Sequence, residues 1–568
     1  MQKKWDILQV KEEKIISLSN ELNISKELSK LLVIRGVHNY QQAKDFFRPD
    51  LLKTHDPFLM KDMHKAVQRI NSAIKEEQNI MLYGDYDVDG TTSVAMMYLF
   101  LKNYSSNIEY YIPCRYKEGY GISKKGIDFA IKNKVDLIIS LDCGILAIEE
   151  VAYAKKHNID VIICDHHIPG TEKPDAAAIL NPKQEDCLYP YKELSGCGVG
   201  FKFIHAYTLL NNISFSEIIG YLDLLVISIA ADIVPITGEN RIFAFFGLKE
   251  INKKNRVGLK EMLQLSNKNS EINMSDILFI ISPRINAAGR IKHAKEALEL
   301  LISSNTHQAR GLAKKIEGYN NKRKLYEKEI TKDALSMINY ENNFTIVSSK
   351  NWHKGVVGIV ASRLLEKHYR PTIVLVEKDG VLTGSGRSIK NFDLYKAVKK
   401  CSHLCQKFGG HKYAIGLTIR KENLSSFITH FSEAVNNEIK SHDMVPRINI
   451  DVMIDVRKVT PKFYSIIKQF APFGPKNYAP VFLSENIEFH KDVRKLGKDK
   501  SHLKIDIKRE KDYISAIGFG LAHKLDAINK KQLFHVCYSV IKNEWKGKEK
   551  IELRMIDLIS HKSANISS

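Results

Sequence analysis

The chain has 568 residues, 44% of them hydrophobic and 27% charged, which excludes a disordered protein and predicts three or four packed units of about 100–200 residues each. With 86 Lys and Arg against 65 Asp and Glu the formal charge is +21. That excess favours polyanionic partners, because each phosphate neutralised releases condensed counterions. The opening MQKKWDILQV lacks the apolar core of a secretory leader. The most apolar helical stretch, 221–236, is broken by Asp223 and Asp232 and is too short to span a bilayer. None of the eight cysteines has CxxC spacing, and Cys401 with Cys405 lacks partners for a zinc knuckle, so free thiols in a reducing cytoplasm are expected.

From about residue 78 to 170 the pattern alternates between strand and helix. Apolar runs at 80–83, 108–112, 137–141 and 161–164 read as strands, and 91–104, 123–133 and 146–157 read as helices. Strands joined by helices of this length predict an α/β unit with a doubly wound, mostly parallel sheet. Residues 198–336 read as mainly helical. Ala309, Leu312, Ala313 and Ile316 fall at helical spacing within a charge-rich stretch, which predicts a long connecting helix over 306–337. Strand-like runs at 345–347 and 372–376 flank a helix near 356–367 and predict a second, smaller α/β domain ending near 440. Beyond Arg447 the apolar runs shorten and alternate, as expected for a β-rich module, such as a small barrel.

YGDYDVDGTTS follows the first apolar strand directly. Asp85, Asp87 and Asp89 recur with period two, so in extended chain they project to one side. Carboxylates that close resist ionising together unless a counter-charge is present, and a hard divalent cation supplies one. An EF-hand loop is excluded, since its twelfth position, which needs a bidentate Glu, is Met96 and a strand precedes it. The run LIISLDCG ends in Asp142, and VIICDHHIP ends in Asp165, His166 and His167. Adjacent histidines in extended chain point to opposite faces, so strand geometry favours only one of them as a direct ligand. Asp232 closes an apolar helix in AADIVPI, where it can also be an ordinary helix-end residue. A mixed Asp/His shell suits manganese or magnesium, and two such ions can drive phosphoryl transfer. No HExxH is present, which disfavours amide hydrolysis.

With DYDVDG, SLDCG, CDHH and ADIVP in this order, the chain resembles the DHH phosphoesterase superfamily. SPRINAAGR (282–290), GSGRS (384–388) and GGHKYAIG (409–416) narrow the likeness to the RecJ family of single-strand-specific exonucleases. The resemblance spans most of the chain, from DPFLMKDM at 56 to FAPFGPKNYAPVF at 482. It implies an N-terminal helical extension (1–60), a DHH domain (61–300), a connecting helix (301–338), a DHHA1 domain (339–440) and an OB-fold with a C-terminal segment (441–568). By the same resemblance the metal ligands fall on Asp87, Asp89, Asp142, His166 and Asp232. Asp85 and His167 then complete the shell or contact the scissile phosphate. It further implies 5′-to-3′ removal of mononucleotides from single-stranded DNA, Mn2+ or Mg2+ as cofactor, and a single-strand-binding protein and a helicase as partners.

Among the basic residues, Ser385 and Arg387 in GSGRS can clamp a phosphate, the guanidinium fork matching its oxygens; the bland alternative is a strand-end loop. Arg115 in PCRYKEGYG is a second candidate for the same phosphate. Arg284 and Arg290, flanking Asn286, either orient phosphates beside the metals or pair with the acidic cluster. Gly409, Gly410 and His411 read as a glycine turn that can cradle a phosphate, or as a tight turn between helix and strand. The span 491–511 holds nine Lys or Arg against four acids and can track a strand backbone, with Phe519 or Phe470 stacking on bases. Two rival functions remain at this level: a superfamily phosphoesterase for short or cyclic oligonucleotides, and a non-catalytic DNA-binding scaffold.

Overall fold

The computed structural model describes residues 3–268, 270–510, 512–527, 533–545, 548–560 and 566–567. The chain divides into two compact units, one formed by residues 51–444 and the other by 1–50 together with 445–568.

The first unit is organised around a five-stranded, wholly parallel sheet in the order Ile108–Tyr111, Ile80–Gly84, Leu137–Leu141, Asp160–Cys164, Ala178–Leu180. Every residue of Ile80–Gly84 and of Leu137–Leu141 is buried. That explains why these strands read as continuous apolar runs, for both faces of the sheet are covered. Successive side chains go to opposite sides: Ile80, Leu82, Leu137 and Ile139 enter one core, while Met81, Tyr83 and Ile138 enter the other. After Ile80–Gly84 the chain first adds a strand on one flank and then returns to the other. The point where the winding reverses therefore lies between the carboxyl ends of Ile80–Gly84 and Leu137–Leu141, where open α/β sheets bind their ligands.

Helices from Gly196–Leu210 to Lys295–Ile302 pack over this sheet, and Thr306–Ser336 follows as one helix of 31 residues. Its buried face is Ala309, Leu312, Ala313, Ile316, Asn320, Ile330 and Ala334, and the Asn305 side chain caps it by accepting from Gln308 N at 3.0 Å. A second five-stranded sheet runs in the order Cys405–His411, Ala414–Arg420, Val381–Arg387, Thr372–Lys378, Thr345–Ser349; only the last pair is parallel. No helix among the described residues is long and apolar enough to cross a membrane.

In the other unit the N-terminal residues differ from the separate helical extension expected over 1–60. Strand Lys4–Ile7 pairs in parallel with Arg447–Ile450, and buried Trp5 donates its indole N–H to Asp557 at 3.0 Å. Leu18, Leu31 and Leu32 share one core with Phe482, Leu503 and Phe534 of the C-terminal β-rich module. The amphipathic helices at 12–34 are too short to bury their apolar faces alone, so they complete that module's core. Phe470 is also corrected as a base-stacking candidate: it is fully buried, edge-on to Phe46 and Phe47. Phe519 is 55% exposed, with the Arg554 guanidinium 5.8 Å from its ring centre. Lys511 of the basic run lies outside the described residues.

Candidate active site

Asp85 leaves the carboxyl end of Ile80–Gly84, but the acidic triplet is not one extended edge, contrary to the period-two reading. The chain turns into helix Val88–Leu101 at once, with Asp87 as its N-cap, accepting from Gly90 N at 3.1 Å. Asp89 sits in the first helical turn. Its carboxylate accepts from the N–H groups of Gly196 at 2.7 Å and Cys197 at 2.8 Å, at the start of helix Gly196–Leu210, and from Ser228 Oγ at 2.7 Å. Glycine at 90 is required, because a Cβ there would collide with the Asp85 backbone.

Asp142 follows Leu137–Leu141 in a left-handed conformation, φ 63°, held by its N–H on Cys164 O at 2.8 Å. Asp165, which follows Asp160–Cys164, is in none of the candidate ligand sets, and its oxygens are taken up by hydrogen bonds. Its buried carboxylate accepts from the N–H groups of Ile145 at 2.9 Å, His166 at 2.7 Å and His167 at 3.1 Å, and from the His167 ring at 2.7 Å. Tyr120 Oη lies 3.0 Å from His167 Nδ1. His166 Nε2 faces the other way, 3.2 Å from Asp142, 3.5 Å from Asp232 and 3.8 Å from Asp89. Asp232 arrives from the last turn of helix Leu222–Ala231, and Ile233 after it has φ 59°.

Three strand ends, the start of helix Val88–Leu101 and the end of helix Leu222–Ala231 thus converge. Donor atoms of Asp85, Asp87 and Asp142 lie within 4.8 Å of one another, as do those of Asp89, His166 and Asp232, and those of Asp142, His166 and His167. Asp142 and His166 each belong to two of these sets, so the sets overlap. Buried Asp85 Oδ1, Asp142 Oδ1 and both His166 ring nitrogens have no hydrogen-bond partner; His166 and Asp142, though close, are not aligned as a bond. Buried polar atoms are ordinarily paired, so donors left open on a common centre are what a cation site requires. Burial, and then the neighbouring carboxylates, push Asp85, Asp142 and Asp232 well above the usual carboxylate range; burial and Asp89 raise Asp87. Burial also brings His166 down to about 4, leaving its ring neutral and able to ligate. Hard oxygen donors with one or two imidazoles fit Mn2+ or Mg2+. Asp165 is held at about 2 against the cost of its burial, chiefly by the His167 bond and charge.

A cationic cluster adjoins the acidic one. Arg115 lies 4.9 Å from the centre of the Tyr86 ring and favours the charged forms of Asp85 and Asp87. Arg290 donates to Gly355 O at 3.0 Å, and Tyr116 donates to the Arg290 carbonyl. Arg387 donates to Ser385 Oγ at 2.8 Å and Gly386 O at 2.7 Å, while Ser385 itself donates to Ile415 O at 2.9 Å. Burial, then Arg115 and Arg387, bring Arg290 down to about 9. Three guanidinium groups held together against their own repulsion are an arrangement that suits an anion.

Two expectations need correction. Arg284 does not pair with the acidic cluster; it bonds Glu317 at 2.6 Å and Ile280 O at 2.7 Å, fastening helix Ser282–Ile291 to the long helix. Asn286, two residues on, points away from it and is half-buried. Gly409, Gly410 and His411 form no turn between helix and strand. They lie in strand Cys405–His411, opposite Gly416, Ile415 and Ala414. Gly410, at φ 136°, has no room for a Cβ against Ala414 O, so backbone packing explains that glycine. His411 is exposed on its outer side, and partial desolvation of the ring, then Arg387, lowers its basicity. Sequence reasoning missed Asp165, Tyr120 and Ser228 as supports. The first stood in the CDHH motif itself, whereas nothing in VISIAAD signals that Ser228 bonds Asp89.

Family models match in chain order: the DHH family N-terminal domain over residues 79–229, the DHHA1 domain over 341–437 and the RecJ OB domain over 450–557. The single-stranded-DNA-specific exonuclease RecJ of Bacillus subtilis is 37% identical over 98% of this chain and 70% of its own length. A crystal structure of RecJ with Mn2+ from Thermus thermophilus superposes with a TM-score of 0.84 at 24% identity, covering 98% of this chain and 79% of that one. A structure of an exonuclease RecJ bound to manganese has a TM-score of 0.60 at 27% identity, covering 68% and 98%. Taken with the ordered motifs, these matches show that the chain belongs to the RecJ family.

Proposed function

We infer that this chain is a divalent-metal-dependent exonuclease that hydrolyses phosphodiester bonds of single-stranded DNA. The observation that carries the reading is the convergence of Asp85, Asp87, Asp89, Asp142, His166 and Asp232, with open buried donors, beside a cluster of three arginines. Asp85, Asp87, Asp89, Asp142, His166 and Asp232 would hold two Mn2+ or Mg2+ ions in overlapping donor sets, and the bound metal would supply Lewis acidity and lower the pKa of water. Asp165 aims His167 at the scissile phosphate and favours its imidazolium, which then neutralises charge building on the phosphate oxygens. Arg115, Ser385 and Arg387 bind the phosphate at the strand end, and Arg290 lines the path between. Asn286 shares its side of the helix with Arg290. Arg284 acts through the position of its helix rather than on the substrate.

The resemblance supports 5′-to-3′ polarity with release of 5′-mononucleotides, a role in DNA repair and recombination in the cytoplasm, and a single-strand-binding protein and a helicase as partners. A labelled single strand blocked at either end, incubated with manganese and with a chelator, tests substrate, polarity and metal dependence together. Degradation from the free 5′ end, only with metal, is the expected result. Hydrolysis confined to a dinucleotide would assign the site to a short-oligonucleotide phosphoesterase, and strand binding without cleavage would make it a scaffold.

A further inference from the structure

Helix Ser282–Ile291 is preceded without a break by a π-helical stretch, Ile277–Ile281. Such turns carry one residue more than the α-helical ladder allows and re-aim the side chains within them. Ile277, Ile281 and Ile285 are buried and supply the core contacts of this segment, while Phe279 is 71% exposed. A single exposed apolar ring is ordinary. This one is aligned. Pro283, Asn286 and Arg290 follow at helical spacing and fall within a sector of about 60° on the same side. All three are half-buried, whereas Ser282, Arg284, Ile285, Ala287, Ala288 and Gly289 are buried. The face therefore carries an aromatic ring at one end, an amide between, and at the other, about 16 Å away, the guanidinium that joins Arg115 and Arg387.

We propose that Phe279 is a stacking platform for one base of the bound single strand, further along the chain from the phosphates held at the arginine cluster. The proposal rests on the single-strand reading given above and deepens it. A flat π surface accepts any base, so it adds affinity without sequence preference, and the arginines at the far end supply the electrostatic part. Arg284, on the opposite side of the helix, is tied to Glu317 and keeps the face in place.

The test uses the full chain, with a chelator present so that the strand is not consumed. Affinity is measured for a long single strand in which one abasic position is moved along the sequence. The wild-type chain is expected to lose about tenfold at one position, the base that stacks. Phe279→Ala should bind the intact strand about tenfold more weakly and show a flat abasic profile; Phe279→Trp should restore both. A dip that persists unchanged in Phe279→Ala, or wild-type affinity of that variant for the intact strand, overturns the platform alone. Failure of the wild-type chain to bind single strands overturns the platform together with the reading it rests on.

Discussion

The acidic cluster takes all of its strand-borne groups from the carboxyl edge of one parallel sheet. The cationic cluster draws Arg115 from a loop, Arg290 from a helix end and Arg387 from an antiparallel strand. Parallel strands bring all their carboxyl ends to one edge, so groups at successive strand ends meet automatically. Antiparallel strands send alternate ends to opposite edges, and only the sheet's registers and its docking decide what meets what. The supports differ in the same way. Asp89 is fixed by two backbone N–H groups and the Ser228 hydroxyl and Asp165 by three backbone N–H groups and the His167 ring, while Arg290 and Arg387 lean mainly on backbone carbonyls and Ser385. In the reading proposed above, chemistry belongs to the acidic cluster and capture of the strand to the cationic one.

Substitutions can break this division of labour. Asp142→Ala is expected to lower cleavage by about a thousandfold or more, since it opens two donor sets at once, while strand affinity by fluorescence anisotropy stays close to wild type. Equal loss of binding would merge the two clusters into one function. Chelation should abolish cleavage and Mn2+ restore it; Mn2+ should also raise the melting temperature of the wild type and leave Asp142→Ala unmoved. Asp165→Asn removes the group that orients His167, and a fall in kcat of about 10–100-fold is predicted, with KM little changed. For Arg387→Ala the effect should appear in KM, about tenfold for a 5′-phosphorylated strand and little for a dephosphorylated one. Indifference to the terminal phosphate in both proteins would remove Arg387 from its capture. The smallest effect belongs to Ser228→Ala, about fivefold in kcat, because Asp89 keeps its two N–H donors.

Much of the acidic site was readable because each ligand is announced locally, by an apolar run that ends in Asp or His. Where the local pattern was over-extended, the structure departs from it. Asp85, Asp87 and Asp89 look like alternate positions of a strand, yet Asp87 caps a helix by accepting from Gly90 N, and the strand ends there although Gly90, Thr91 and Thr92 are poor helix formers. The GGH segment looks like a turn because glycine permits turns, yet there it serves close backbone approach in a hairpin. Arg284 looks equivalent to Arg290 in sequence; a residue 33 positions away, Glu317, separates their roles.

Sequence alone determined the strand–helix alternation, the family, the identity of the acids and imidazoles, and the edge on which they gather, because hydrophobic period and strand direction are local properties. Tertiary structure decided which donors stay open for a cation and which are consumed by N–H groups. It also decided which arginine joins Arg115 and Arg387 and which bonds Glu317, and that residues 4–50 fold with the C-terminal module. Those outcomes depend on contacts between segments tens to hundreds of residues apart, which no local pattern encodes.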